Sequence, residues 1–161
     1  MTVIENMEKR DEILSDYEHG LGLPSNLAPG SEDELQGYLV MNRSQIEVLS
    51  AEDAFGIALR LSQYSFYLQR EMNRERARIT WANKELTSAV SGEIGQYSDS
   101  YLKNDAKVAL ICKENNVAKQ LSDIQVFAEQ RVERLQELAS GLRNISYIVS
   151  LVAKNKSGDR R

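Results

Sequence analysis

LSQYSFYLQREMNRERARITWANKELTSAV, residues 61–90, contains neither proline nor glycine, and its apolar or small residues fall at 61, 65, 68, 72, 79, 82, 86 and 89. Steps of four and three place those side chains on one seam of a helix, the pattern of a coiled coil. Glu75 occupies the position that would complete the seam, so either the register is locally broken or a buried polar contact sits there. Working upstream, Ser50-Ala51-Glu52-Asp53 supplies a hydroxyl to cap free N–H groups and two acids at the positive helix end, so the helix is expected to start here. Working downstream, residues 91–100 bring two glycines and three serines, which disfavour helix and mark the tip of a hairpin. A second helix is expected from about Tyr101 to Lys154, with Leu135, Leu138, Leu142, Ile145, Val149 and Val152 again spaced by three and four. Gly141 lies inside it, at a cost of about 1 kcal/mol relative to Ala, and would allow close approach of another backbone.

The expected fold is therefore all-α: a long antiparallel helical hairpin, coiled-coil-like, over residues 50–155. Arms of roughly 40 to 50 residues would each span about 60–75 Å. Two helices of that length cannot bury all their apolar positions against each other, so self-association through the 135–152 series is expected. Residues 1–49 read as an acidic N-terminal arm of short helices. Val3, Ile4, Met7, Ile13 and Leu14 give residues 2–18 an amphipathic helical pattern, and the stretch 19–31 holds both prolines and three glycines and reads as a linker. Ser31 is a possible N-cap for a short docking element bearing Leu35, Tyr38, Leu39 and Met41, and Ile46, Val48 and Leu49 suggest one more turn packed on the body. The polar residues 156–161 read as a disordered tail.

With 161 residues the chain is expected to form one unit. Cys112 and His19 stand alone as residue types, which excludes an intrachain disulfide and a Cys/His zinc cluster and leaves a Cys–His dyad without local support. No apolar run has signal-peptide or membrane-spanning length, so a cytoplasmic location without membrane contact is expected. No phosphate-binding glycine loop, nucleophile elbow, HExxH or EF-hand is present, and no catalytic residue, metal or cofactor is expected. Glu133 and Glu137 read as surface charges balanced by Arg131 and Arg134, His19 as a solvated linker residue, and Cys112 as a small buried hydrophobe.

Charge is distributed unevenly. Residues 1–56 carry 3 Lys and Arg against 12 Asp and Glu, a net −9, whereas 57–161 carry 17 against 12, a net +5. An acidic arm on a basic body is compatible with nucleic-acid or acidic-partner binding, and equally with two solvated faces. Arg70, Arg74 and Arg78, spaced by four, form a stripe flanked by Arg76 and Lys84, with Trp81 three residues beyond Arg78. Lys103 and Lys107 add a pair one turn apart, and Lys113 and Lys119 extend it. Cations with one stacking-capable aromatic suit a single-stranded nucleic acid, whose phosphates need Lys or Arg and whose bases need a π-face. Two competing readings are intramolecular. With the tip near 96, Arg78 would meet Glu114 and Arg70 would meet Asp123, and Trp81 would anchor the seam edge instead of stacking on bases.

The stretch 61–92, followed by YLKNDAKVALICKENNVAKQLSDIQVFAEQRVERLQELASGLRNISYIVS (101–150), resembles the UvsY-type recombination mediators of large tailed phages. The resemblance lies in a tyrosine-bearing, basic first helix, a glycine-containing break, an opening Lys107 to Ile111 preceded by Lys103, and the late run Leu135, Leu138, Arg143, Ile145. It covers about two-thirds of the chain. It implies a ring-forming homo-oligomer in a phage-infected host cytoplasm, without enzymatic activity. Such a protein binds single-stranded DNA, helps displace a single-strand-binding protein and loads a RecA-like recombinase for DNA recombination and repair. It further implies that Arg70, Arg74, Arg76, Arg78 and Lys84 contribute to the strand-binding face. The acidic arm and the less basic KELTSAVSG segment depart from that family's pattern. A different class of reading remains alongside: a structural or regulatory coiled-coil module, such as a virion scaffold, chaperone or inhibitor of a host protein. On the first reading, the acidic arm is expected to mask the basic face when DNA is absent.

Overall fold

A computed structural model describes residues 2–23, 25, 27–97, 101 and 103–158. Among these the regular structure is entirely helical: α1 (Val3–Gly20), α2 (Glu32–Leu39), α3 (Arg43–Val48), α4 (Ala51–Glu93), a 3-10 turn (Ile94–Tyr97), α5 (Asn104–Glu114) and α6 (Asn116–Gly158). The chain divides into two compact units. Unit 1 comprises Met1–Ser25 and Asn73–Val132, and unit 2 comprises Asn26–Met72 and Glu133–Arg161. The long helices α4 and α6 contribute to both, and the arm is shared out: α1 belongs to unit 1, α2 and α3 to unit 2.

In unit 2, α4 and α6 run antiparallel. Ser146 donates to the Ala58 carbonyl at 2.8 Å and lies 2.9 Å from the Ser62 hydroxyl, while Ser65 donates to the Ala139 carbonyl at 3.3 Å. Advancing on one helix thus means retreating on the other. Between them Leu61, Leu142 and Val149 are fully buried, alternating with Ala54, Ala58, Ala139 and Ala153. Each large side chain contributes about 1.5–3 kcal/mol of burial, and the alanines allow the helices to approach closely. Leu35, Tyr38 and Leu39 of α2, Ile46 of α3 and Leu49 just after it pack on this pair, the docking expected of them. Val48 points outward. Ser50 caps α4 through its hydroxyl, which accepts from the Asp53 amide at 3.0 Å, and Ser31 caps α2 in the same way.

Unit 1 is built around Trp81, Ala82, Leu86, Val90, Ile111, Ala118 and Leu121, with Val3 and Met7 of α1 packed against them. Glu75, only 3% exposed, keeps the seam in register as a buried polar contact: Arg78 donates to it at 2.8 Å and Arg131 lies 3.4 Å away. The register expected from a tip near 96 therefore needs correcting, since Glu75 faces Arg131 and Arg78 does not meet Glu114. The reason is that the second arm is not one helix. It breaks at Asn115, whose extended backbone ends α5 and whose side-chain oxygen accepts from the Val117 and Ala118 amides, starting α6. The Asn115 amide also donates to Glu93 at 2.6 Å, fastening the end of α4.

The expected tip at 91–100 is helical through Glu93 and a 3-10 turn through Tyr97, while 98–100 lie outside the described residues. Of the expected linker 19–31, His19 and Gly20 still belong to α1, Gly22 adopts φ 77°, and Pro24 and Asn26 lie outside the described residues. Of the expected disordered tail 156–161, residues 156–158 are helical. Helix α6 continues to Gly158, and Lys156 donates to the carbonyls of Glu47 and Leu49, satisfying the C-terminal end of α3 with a cation. Residues 159–161 lie outside the described set.

Candidate nucleic-acid interface

Residues four apart on a helix advance about 400°, so each step drifts by about 40°. Arg78 is thus turned by about 80° from Arg70 around the helix axis. Arg70 belongs to unit 2, and Arg74 and Arg78 to unit 1. Arg70 and Arg74 are half-buried and hold intrachain interactions. Arg78 has turned into a carboxylate pair: its Nη1 reaches Glu75, while its Nε donates to Asp11 of α1 at 2.9 Å and its Nη2 is ion-paired with the same oxygen. Arg76 and Lys84 are exposed on α4 of unit 1. Lys103 is exposed at the start of α5, and Lys107 is half-buried within it. Lys113 and Lys119 are exposed as well.

Of its two readings, Trp81 takes the seam-edge one. It is next to the seam position Ala82, 8% exposed, and part of the unit 1 core, so its ring is not an open platform. Yet a guanidinium lies over its face: Arg10 of α1, 5.7 Å from the ring centroid and close enough for a cation–π interaction. Arg10 also lies 3.6 Å from Glu85. The indole Nε1 is buried with no hydrogen-bond partner among the described residues. An unpaired buried donor costs free energy, and buried indole N–H groups usually find an acceptor.

Helix α1 owes its start to a capping box. Thr2 accepts from the Glu5 amide at 3.2 Å while Glu5 accepts from the Thr2 amide at 2.7 Å. Val3 and Met7 supply its apolar contacts, whereas Ile4 and Ile13, expected to share that role, are exposed. Sequence reasoning missed Arg10 and Asp11 as site residues. The charge split between arm and body was the available signal, but it does not say which residues meet.

The residues expected to mediate oligomerisation are placed otherwise. Leu142 and Val149 are fully buried within unit 2, Leu135 and Ile145 pack on its core, Val152 is half-buried and Leu138 is 37% exposed. Leu135, Leu142, Ile145 and Val149 hold the chain's own helices, with the small buried positions Ala139, Ser146 and Ala153 beside them. Other large apolar side chains of this unit are exposed as well. Phe55, Leu59 and Phe66 lie along one face of α4, and Tyr147 and Ile148, with Leu151 one turn on, are exposed on α6.

The remaining chemistry is sparse. Burial, and to a lesser degree Asp123, pushes the Cys112 thiol above its ordinary pKa, which keeps it protonated, and the residue packs beside the unit 1 core as a small hydrophobe. His19 is exposed in the last turn of α1. Glu133 and Glu137 are exposed, and Arg131 serves Glu75. Tyr97 donates to Glu114 at 2.8 Å, and that bond raises the pKa of its hydroxyl. Among the described residues no group of three or more His, Cys, Asp or Glu could hold a metal ion, and no helix is long and apolar enough to cross a membrane. No protein-family model matches this chain, and comparison with curated proteins and with solved structures returns no match.

Proposed function

We propose that this protein is a recombination accessory factor that binds single-stranded DNA as a homo-oligomer and helps load a RecA-like recombinase in the presence of a single-strand-binding protein. The observation that carries the reading is in unit 1, where exposed Arg76, Lys84, Lys103, Lys113 and Lys119 share a unit with Trp81 and Arg78, and those two are covered by a guanidinium and a carboxylate. Cations recruit phosphate by releasing its counterions, and an aromatic face accepts any base, so this set of groups suits binding that is tolerant of sequence. The resemblance to phage recombination mediators supplies the process. Each chain offers few cations, so identical surfaces on a ring would gain from effective concentration. The exposed apolar residues of unit 2, Phe66 at 73% among them, support a protein-contact role and are the surface we assign to a second copy.

The same apolar residues favour the second reading, a helical interaction module without nucleic-acid binding. A salt series separates the two. On the mediator reading, a labelled oligothymidylate binds the full chain with log K falling linearly against log salt. Arg76→Ala combined with Lys84→Ala makes that slope shallower by roughly 1.4, since each phosphate of a single strand that is no longer neutralised removes about 0.7. Absent binding at low salt, or a flat slope, favours the interaction module.

A further inference from the structure

We propose that α1 is a removable cover on the strand-binding surface of unit 1, with the Asp11 carboxylate standing on Arg78 where a phosphate would bind and the Arg10 guanidinium standing on Trp81 where a base would stack. The inference rests on the single-strand reading above and adds its regulation.

Three independent features carry it. The first is the chemistry of the contacts. Asp11 meets the Nε and Nη2 of Arg78, the two-pronged fork with which arginine also grips phosphate, and the Arg10 guanidinium occupies the side of the Trp81 ring on which a base would stack. The second is weak attachment. No residue of α1 is buried, only Val3 and Met7 add apolar packing to the core, and Ile4, Ile13 and Tyr17 face outward. The Arg10–Glu85 pair is half-exposed and holds little, so apart from the part-buried Asp11–Arg78 pair little fastens this helix to the core beneath it. The third is the site's own imperfection: the Trp81 indole nitrogen is buried without a partner among the described residues, a donor left unpaired in the docked state.

Exclusion is electrostatic as well as steric. With α1 docked, Glu8, Glu12 and Asp16 are exposed beside Asp11 on the same helix and repel an approaching strand. Release needs slack in the chain, and α1 runs into Gly20 and Gly22, the latter at a positive φ of 77° that only glycine adopts readily. DNA and α1 therefore compete for Arg78 and Trp81, and whatever binds one weakens the other.

The test uses the full chain, a labelled oligothymidylate and anisotropy at low salt, comparing Asp11→Asn with Asp16→Asn. Both variants remove one negative charge from α1, but only the first releases the Arg78 fork from a carboxylate. The proposal expects Asp11→Asn to bind about 5-fold tighter than the parent chain, with Asp16→Asn within about 2-fold of it. Equal affinity for the two variants overturns the cover while leaving the single-strand reading intact. Failure of the parent and both variants to bind overturns both. A second readout needs no DNA, because Trp81 is the sole tryptophan of the chain. Acrylamide should quench it more strongly in Asp11→Asn and in Arg10→Ala than in the parent, and unchanged quenching in both variants overturns the cover.

Discussion

Units 1 and 2 attach the segments of the acidic arm by different chemistry. In unit 2 the bonds reach main chain: Arg60 donates to the Pro29 carbonyl at 2.6 Å, Tyr64 to the Ser31 carbonyl at 2.7 Å, and Lys156 to the carbonyls closing α3. Tyr38 and Arg60 both engage Glu34, and Leu35, Leu39, Ile46 and Leu49 pack beneath. In unit 1, α1 brings two apolar residues and charged side chains aimed at Arg78, Glu85 and Trp81. Main-chain carbonyls have no other place to go, whereas side-chain charges can be exchanged for those of a ligand. The difference teaches that α2 and α3 belong to the scaffold while α1 behaves as a bound ligand that happens to be covalently attached.

Leu142→Ala, at a fully buried position of unit 2, should cost about 2–5 kcal/mol in denaturant unfolding. A loss well below that range would mean this core is not the one described. Glu75→Gln in unit 1 leaves Arg78 and Arg131 facing a neutral amide at a buried site and should cost about 1–3 kcal/mol, read by the same measurement.

Alkaline pH should act on unit 1 through Tyr97 and on unit 2 through two tyrosines. A hydrogen bond to Glu34, and then burial, raises the pKa of Tyr38 above 10.0, and burial raises that of Tyr64. Because the folded values lie above the unfolded ones, this contribution is complete below about pH 10 and lost as pH climbs through the folded values. Tyrosinate absorbance should therefore show late-titrating residues, one of which disappears in Tyr38→Phe. Exchange of α2 amides should accelerate over the same range. A smaller gain is expected at Gly141, where an added Cβ meets nothing within 4 Å: Gly141→Ala should stabilise the chain by about 0.5–1 kcal/mol. Destabilisation there would reveal a backbone approach that the isolated chain does not contain.

Much of the scaffold was legible because it depends on local signals. Ser50 and Ser31 announce their caps, the seam from Leu61 to Ala89 reads directly as helix, and Glu75 stood out as either a fault or a buried polar contact. The break at Asn115 was less visible, since Glu114-Asn115-Asn116 carries neither proline nor glycine and only the capping ability of asparagine hints at it. Register was mistaken because it assumed a simple turn near 96, and α5 intervenes. The late leucines were assigned outward because Leu138, Ile145 and Val152 compete with Ala139, Ser146 and Ala153 as seam residues, and hydrophobicity alone favours the larger set. The site was the least legible part. That Asp11 meets Arg78, 67 positions away, follows from tertiary packing and from no spacing in the chain.

Hydrogen exchange on the full chain, with and without an oligothymidylate, tests the exchangeable α1 most directly. The account predicts faster exchange over Val3–Gly20 when the strand is bound, while Glu32–Leu39 and Arg43–Val48 keep their protection. Slower exchange in α1 on binding, or equal loosening of all three helices, would contradict it.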